Sequence, residues 1–179
     1  MNNNARSYTH FIGVLVPEDI SLILEDCRSY MRSRYGCRSG QRTPLHVTII
    51  PPFVLNPSYS TEDLSEVLNS IYFKEFTAHV ESFGSFGERT LYARVIEDKS
   101  WDELRNTVFH SVSRVFPDTL KKDHRAFHPH ITIANRDIPN GALYEALMRL
   151  NGVPLSEVFT VKKLTLFEFR NGRWEQHFN

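Results

Sequence analysis

Phe127-His128-Pro129-His130-Ile131-Thr132-Ile133-Ala134 is the stretch on which the reading of this chain turns. Its centre, His130-Ile131-Thr132-Ile133, has one counterpart, His46-Val47-Thr48-Ile49. In both, β-branched apolar residues alternate with a histidine and a threonine, the period-two pattern of a strand with two unlike faces. Val47 and Ile49, or Ile131 and Ile133, then point into a core. The histidine and threonine share the opposite face, held rigidly enough to meet a ligand. Of the eight histidines, only His46 and His130 have serine or threonine two positions on. A lone His-x-Thr on a strand is more often structural, but two at equivalent points of a repeat point to a site.

Working outward, each motif strand is preceded by the same elements. Phe11 to Val16 reads as a buried strand. After Pro17 a helix carries Ile20, Ile23, Leu24, Cys27, Tyr30 and Met31 on one stripe, ending at Gly36. A polar loop then leads to His46. In the second half, Leu91 to Ile96 is the opening strand. Ser100 and Glu103 form a capping box for a helix with Trp101, Leu104, Val108, Val112 and Val115 inward, and the basic loop 117–126 leads to His130.

Downstream of the first motif, Ser60 and Asp63 cap a helix, Phe76 to Phe83 is a strand, and 84–88 is a turn. Downstream of the second, Asn140 caps a helix, and Asn171-Gly172 marks a type I′ hairpin turn. From His46 to His130 is 84 positions, and from Phe76-Thr77 to Phe159-Thr160 is 83. We read a duplication in an α+β chain: two ferredoxin-like lobes, roughly 1–90 and 91–179 with strand exchange. Their antiparallel sheets flank a central cleft on a pseudo-twofold axis.

Composition narrows the function classes. The chain has 179 residues, 41% of them apolar, with 21 acidic residues balanced by 21 Lys plus Arg. At this length about 70% of the unfolded surface is buried, so one domain needs no metal or disulfide staple. Zero net charge argues against a general nucleic-acid coat protein, and any anion site must be local. Cys27 and Cys37 lack metal-ligand spacing and read as reduced thiols. Met1-Asn2-Asn3-Asn4 lacks the layout of a signal peptide, and no apolar run is long enough for a membrane span. A monomer in the cytoplasm is expected.

Two histidines converging on one site suit attack on phosphorus: one neutral imidazole takes a proton while the other, protonated, gives one to the leaving oxygen. Thr48 and Thr132 would donate to non-bridging phosphate oxygens, aimed by their stiff rotamers. Arg42, Lys122, Arg125 and Arg136 are the cationic donors nearest in sequence. Phe53, Phe83, Tyr92 and Phe169 are candidate platforms for a nucleoside base. A metal site on His124, His128 and His130 is disfavoured, because no acidic residue completes a ligand spacing. No cofactor is expected.

The paired His-x-Thr motifs in a duplicated chain of this size resemble the 2H phosphoesterase superfamily, which includes 2′-5′ RNA ligase-like proteins and 2′,3′-cyclic nucleotide phosphodiesterases. The likeness runs from Phe11 through the first motif and Leu91-Tyr92 to the Phe127-x-Pro129-His130-Ile131-Thr132 lead-in. It implies that His46 and His130 are catalytic and that Thr48 and Thr132 bind phosphate. It implies metal-free opening of a cyclic phosphodiester on a nucleotide or RNA end, or reversible 2′-5′ joining of RNA ends. We lean towards His130 activating water and His46 protonating the leaving oxygen. Two features depart from the family pattern: His128 adds a third imidazole, and Asn135 separates the strand from Arg136, where a basic residue often follows more closely. The rival class is a non-catalytic RNA or nucleotide-binding module on the same kind of sheet.

Overall fold

The two motif strands lie side by side in the middle of one sheet. The computed structural model describes residues 8–178, so the Met1-Asn2-Asn3-Asn4 reading falls outside the described residues. In chain order the elements are β1 (His10–Leu15), α1 (Glu18–Tyr35), β2 (His46–Phe53), α2 (Thr61–Ser70), β3 (Phe76–Phe86) and β4 (Thr90–Val95). They continue with α3 (Lys99–Val115), β5 (His130–Asn135), α4 (Ala142–Asn151), β6 (Ser156–Val161), β7 (Thr165–Arg170) and β8 (Arg173–Gln176). The eight strands form an antiparallel sheet in the order β6-β3-β4-β5-β2-β1-β7-β8.

The order β-α-β-α-β occurs twice, giving the α+β class read from the sequence. In the sheet, β2 and β5, β1 and β4, and β7 and β3 are exchanged by an axis between the motif strands. Phe76-Thr77 and Phe159-Thr160, whose spacing suggests the repeat, are instead direct neighbours, with Thr77 opposite Thr160. The spatial counterpart of β3 is β7. The two motif strands, β2 and β5, meet through a single ladder pair, Val47 opposite Ile131.

The four helices among the described residues cover the face on which Val47, Ile49, Ile131 and Ile133 are buried, with α1 on β5, α3 on β2, α4 on β3 and α2 on β7. Helix α1 ends where Gly36 turns left-handed (φ 74°), its N–H returning to the Arg32 carbonyl and that of Cys37 to the Met31 carbonyl. Its buried stripe is Ile20, Leu24, Arg28 and Met31, while Ile23, expected inward, is 43% exposed. The Ser60–Asp63 capping box forms as read. In α3 the cap is Asp98, which accepts from the Ser100 N–H, in place of the expected Ser100–Glu103 box, and Val115 faces solvent. Gly141 rather than Asn140 precedes α4, because its φ of 81° suits a residue without Cβ. Asn171 and Gly172 both have positive φ, as a type I′ turn between β7 and β8 requires. Both cysteines are free thiols. His10 is buried between the Thr9 and Thr61 hydroxyls. Among the described residues no helix is long and apolar enough to cross a membrane.

Candidate active site

Strand alternation puts His46 and Thr48 of β2, and His130 and Thr132 of β5, on the face away from the helices, each of the four half-buried. With Val47 opposite Ile131, the antiparallel register sets His46 beside Thr132 and Thr48 beside His130 across the central seam. Each imidazole is pinned by the same local device. His46 Nδ1 lies 2.6 Å from the Pro44 carbonyl oxygen, and His130 Nδ1 lies 2.7 Å from that of His128. A carbonyl only accepts, so Nδ1–H is the donor in both, and both Nε2 atoms are left for chemistry.

The histidines differ in their walls. His46 packs against Phe11 of β1 and Phe167 of β7, with ring centroids 4.8 and 5.0 Å away, and Trp174 of β8 meets Phe11 edge-on. His130 meets Phe86 of β3 at 4.8 Å and Tyr92 of β4 at 5.3 Å, and these two rings stack on each other. Phe11 is 3% exposed and Phe86 is 38% exposed, so one imidazole is walled in and the other opens to solvent. Gly13 lies opposite Thr48, and a Cβ there would sit 2.9 Å from the Val47 carbonyl oxygen and 3.4 Å from His46 Cδ2.

Electrostatics follow the walls. Burial pushes His46 down to about 4, opposed by its bond to the Pro44 carbonyl and reinforced by the positive charges of Arg28 and His130. Burial also lowers His130, against its bond to the His128 carbonyl, and a charged His128 adds to the lowering. His128 itself is exposed, with Nδ1 2.7 Å from Glu97 Oε1.

Of the other residues singled out, Tyr92 belongs to the cleft, directly opposite Thr132. Arg42 is exposed on the loop entering β2. Arg136 is exposed in a left-handed conformation, its carbonyl accepting from Arg89. Arg125 is exposed and engaged by both carboxylate oxygens of Asp123. Phe53 and Lys122 are not brought to the histidines. They line a cavity of about 770 Å³ between the end of β2, α3 and the loop after it, and no motif residue touches that cavity. Phe83 is buried, and Phe169 packs on Trp174.

Three cleft residues escape the sequence reading. Phe86 falls in the expected turn, yet β3 runs on through it. A bulge at Ser82 (φ 54°) resets the alternation and delivers the ring to the cleft. Phe11 is visible only as part of an apolar run. Arg94 lies directly across from His130, with Glu81 across from Arg94; the alternation Tyr92-x-Arg94 is its available signal. Among the described residues no group of three or more His, Cys, Asp or Glu is arranged to hold a metal ion.

The family model described as the 2′-5′ RNA ligase superfamily matches residues 16–173. No curated protein sequence matches the chain. Among solved structures, TT0787 of Thermus thermophilus is similar with a TM-score of 0.68 at 18% identity, over 94% of this chain and 93% of that one. E. coli LigT complexed with 3′-AMP is similar with a TM-score of 0.59 at 19% identity, over 95% and 94%. LigT has also been solved with ATP and with phosphate. The MHV ns2 PDE domain is similar with a TM-score of 0.60 at 14% identity, over 92% and 100%. At these identities the likeness is one of fold.

Proposed function

Because the chain belongs to the 2′-5′ RNA ligase superfamily, we propose that its cleft opens 2′,3′-cyclic phosphodiesters of nucleotides or RNA ends by two-histidine acid/base catalysis, without a metal. The observation that carries this reading is the pair of imidazoles facing one seam, each with Nδ1 bound to a carbonyl and Nε2 unengaged. LigT solved with 3′-AMP and with phosphate supports a nucleotide phosphate as the kind of ligand.

In this reading the phosphodiester sits over the seam, its non-bridging oxygens accepting from the Thr48 and Thr132 hydroxyls and facing Arg94. Water attacks phosphorus while one Nε2 takes its proton. The bond from phosphorus to a ribose oxygen breaks, and the other Nε2–H protonates that oxygen. Burial favours the reverse of the roles expected from sequence. His46 is the more reluctant to hold a proton and becomes the base, and His130 becomes the acid. Joining RNA ends through a 2′-5′ linkage is the same chemistry run backwards, with a ribose hydroxyl in place of water. The stacked Phe86–Tyr92 pair offers the open face on which a base would lie.

The test is hydrolysis of 2′,3′-cyclic nucleotides and of RNA with a 2′,3′-cyclic end, with chelator present, by wild type, His46→Ala and His130→Ala. Turnover by wild type that is lost in both variants is the expected result. A folded wild type that binds these molecules without turnover would favour the binding-module reading, and turnover abolished by chelator would overturn metal independence.

A further inference from the structure

Arg28 is the one fully buried Lys or Arg among the described residues, at 2% exposure on the inner stripe of α1. A charge in that position is costly unless its surroundings use it. Its only carboxylate partner among the described residues is Glu25, at 2.8 Å, whose side chain is 44% exposed and so keeps much of its own charge in water. The remaining bonds go to main-chain carbonyls: Nη1 to Thr43 at 2.9 Å and Nη2 to Thr132 at 3.2 Å. Nε is buried without a protein acceptor.

The two carbonyls are telling. Thr132 is the threonine of the second motif, and the register sets it beside His46. Thr43 is itself buried and directly precedes Pro44, whose carbonyl pins His46 Nδ1. One side chain therefore holds the entry to the first motif and the backbone of the second, from the helix side of the sheet. It does so where β2 and β5 share only the pair Val47 and Ile131. Nothing else in the ladder fixes how far apart the two motifs stand.

We propose that Arg28 is a positioning residue of the phosphate site, tying the two motif strands together at their single point of pairing and holding a fixed positive charge beneath the bound anion. This deepens the reading above, on which it rests for the reaction but not for the anion. The planar fork matters as well as the charge, since a lysine ammonium cannot reach Glu25, Thr43 and Thr132 in one arrangement. The charged or titratable groups acting on His46 are Arg28 from α1 and His130 from β5; the rings packed on it from β1 and β7, Phe11 and Phe167, are neutral. Removing the guanidinium should therefore make His46 easier to protonate.

The test uses Arg28→Met and Arg28→Lys in the full chain, with Arg28→Gln in reserve should methionine prevent folding. Three quantities are read: the NMR titration of His46 without substrate, the affinity for inorganic phosphate, and kcat against KM over pH. For methionine we expect His46 to titrate closer to an ordinary histidine, phosphate to bind about 10-fold more weakly, and kcat to fall about 30-fold or more with a smaller change in KM. Lysine should restore the titration and the phosphate affinity but not kcat. A folded methionine variant with the wild-type His46 titration and phosphate affinity would overturn the proposal. So would losses shared equally by both variants and tracking their melting temperatures. If wild type turns over no cyclic phosphate, the reaction fails as a reading, while the titration and the phosphate affinity still decide the role of Arg28.

Discussion

The two halves of the cleft carry the same imidazole on the same kind of strand, each pinned by the carbonyl two residues before it, yet their surroundings differ. Around His46 the rings of Phe11 and Phe167 are buried and Trp174 meets Phe11 edge-on. Around His130 the rings of Phe86 and Tyr92 reach solvent. Matching strand geometry places the two imidazoles alike, and the rings packed on them make their surroundings unlike. Two groups with equal proton affinity would make a poor acid/base pair, and unequal burial separates them. The same inequality leaves one aromatic face open and the other closed.

The comparison is broken most severely by deleting either imidazole. His46→Ala and His130→Ala should each lower kcat by about 10² to 10⁴, and the double variant should fall little further than the worse single, because the groups act as a unit. Steady-state kinetics of the three variants decides this. Next is the glycine beneath His46. Gly13→Ala drives a Cβ into the Val47 carbonyl oxygen, a backbone atom, whereas Gly84→Ala meets only the Tyr92 ring at 3.0 Å. We expect about 1–3 kcal/mol of lost stability for the first and clearly less for the second, read as melting temperatures.

Removing the open wall should be milder. Phe86→Ala should raise KM for a cyclic nucleotide about 5- to 30-fold, the worth of one stacked base, and leave a cyclic phosphate without a base unaffected. The smallest effect concerns pH. Both histidines are lowered, so kcat/KM should rise from about pH 4 as His46 loses its proton and fall again below the ordinary histidine value as His130 loses its own. An optimum well above pH 7 would contradict the assignment. Stability should respond too. His46 holds its proton more weakly folded than unfolded, so stability is complete above about 6.5 and declines as pH falls towards 4. Urea unfolding of wild type against His46→Gln at pH 7 and pH 5 measures it.

Much of this is legible in the sequence. Alternation alone places His46, Thr48, His130 and Thr132 on one face, and the Ser60–Asp63 box and the Asn171-Gly172 turn form as local chemistry demands. Lys122 is nominated by closeness in sequence and Phe53 as an aromatic platform, but a strand moves the chain about 3.3 Å per residue, so Phe53 lies roughly 23 Å along β2 from His46. Phe86 is hidden because one residue with positive φ, Ser82, inverts an alternation that composition does not reveal. Arg28 is hidden because a helical stripe is read by its apolar members, and a cation at a buried position looks like a gap in the pattern.

The exchange of β3 and β7 gives the repeat an unusual kind of indivisibility. A chain cut at Gly87 would yield a first piece whose β3 has lost both sheet neighbours and a second whose β7 has lost β1. Neither piece is a smaller version of the whole. Together they hold every strand in its place, so the two are suited to reconstitute the protein when mixed and not to function alone. The symmetry thus pairs β3 with β7 by position and not by order along the chain, and each site histidine depends on a strand contributed by the other half.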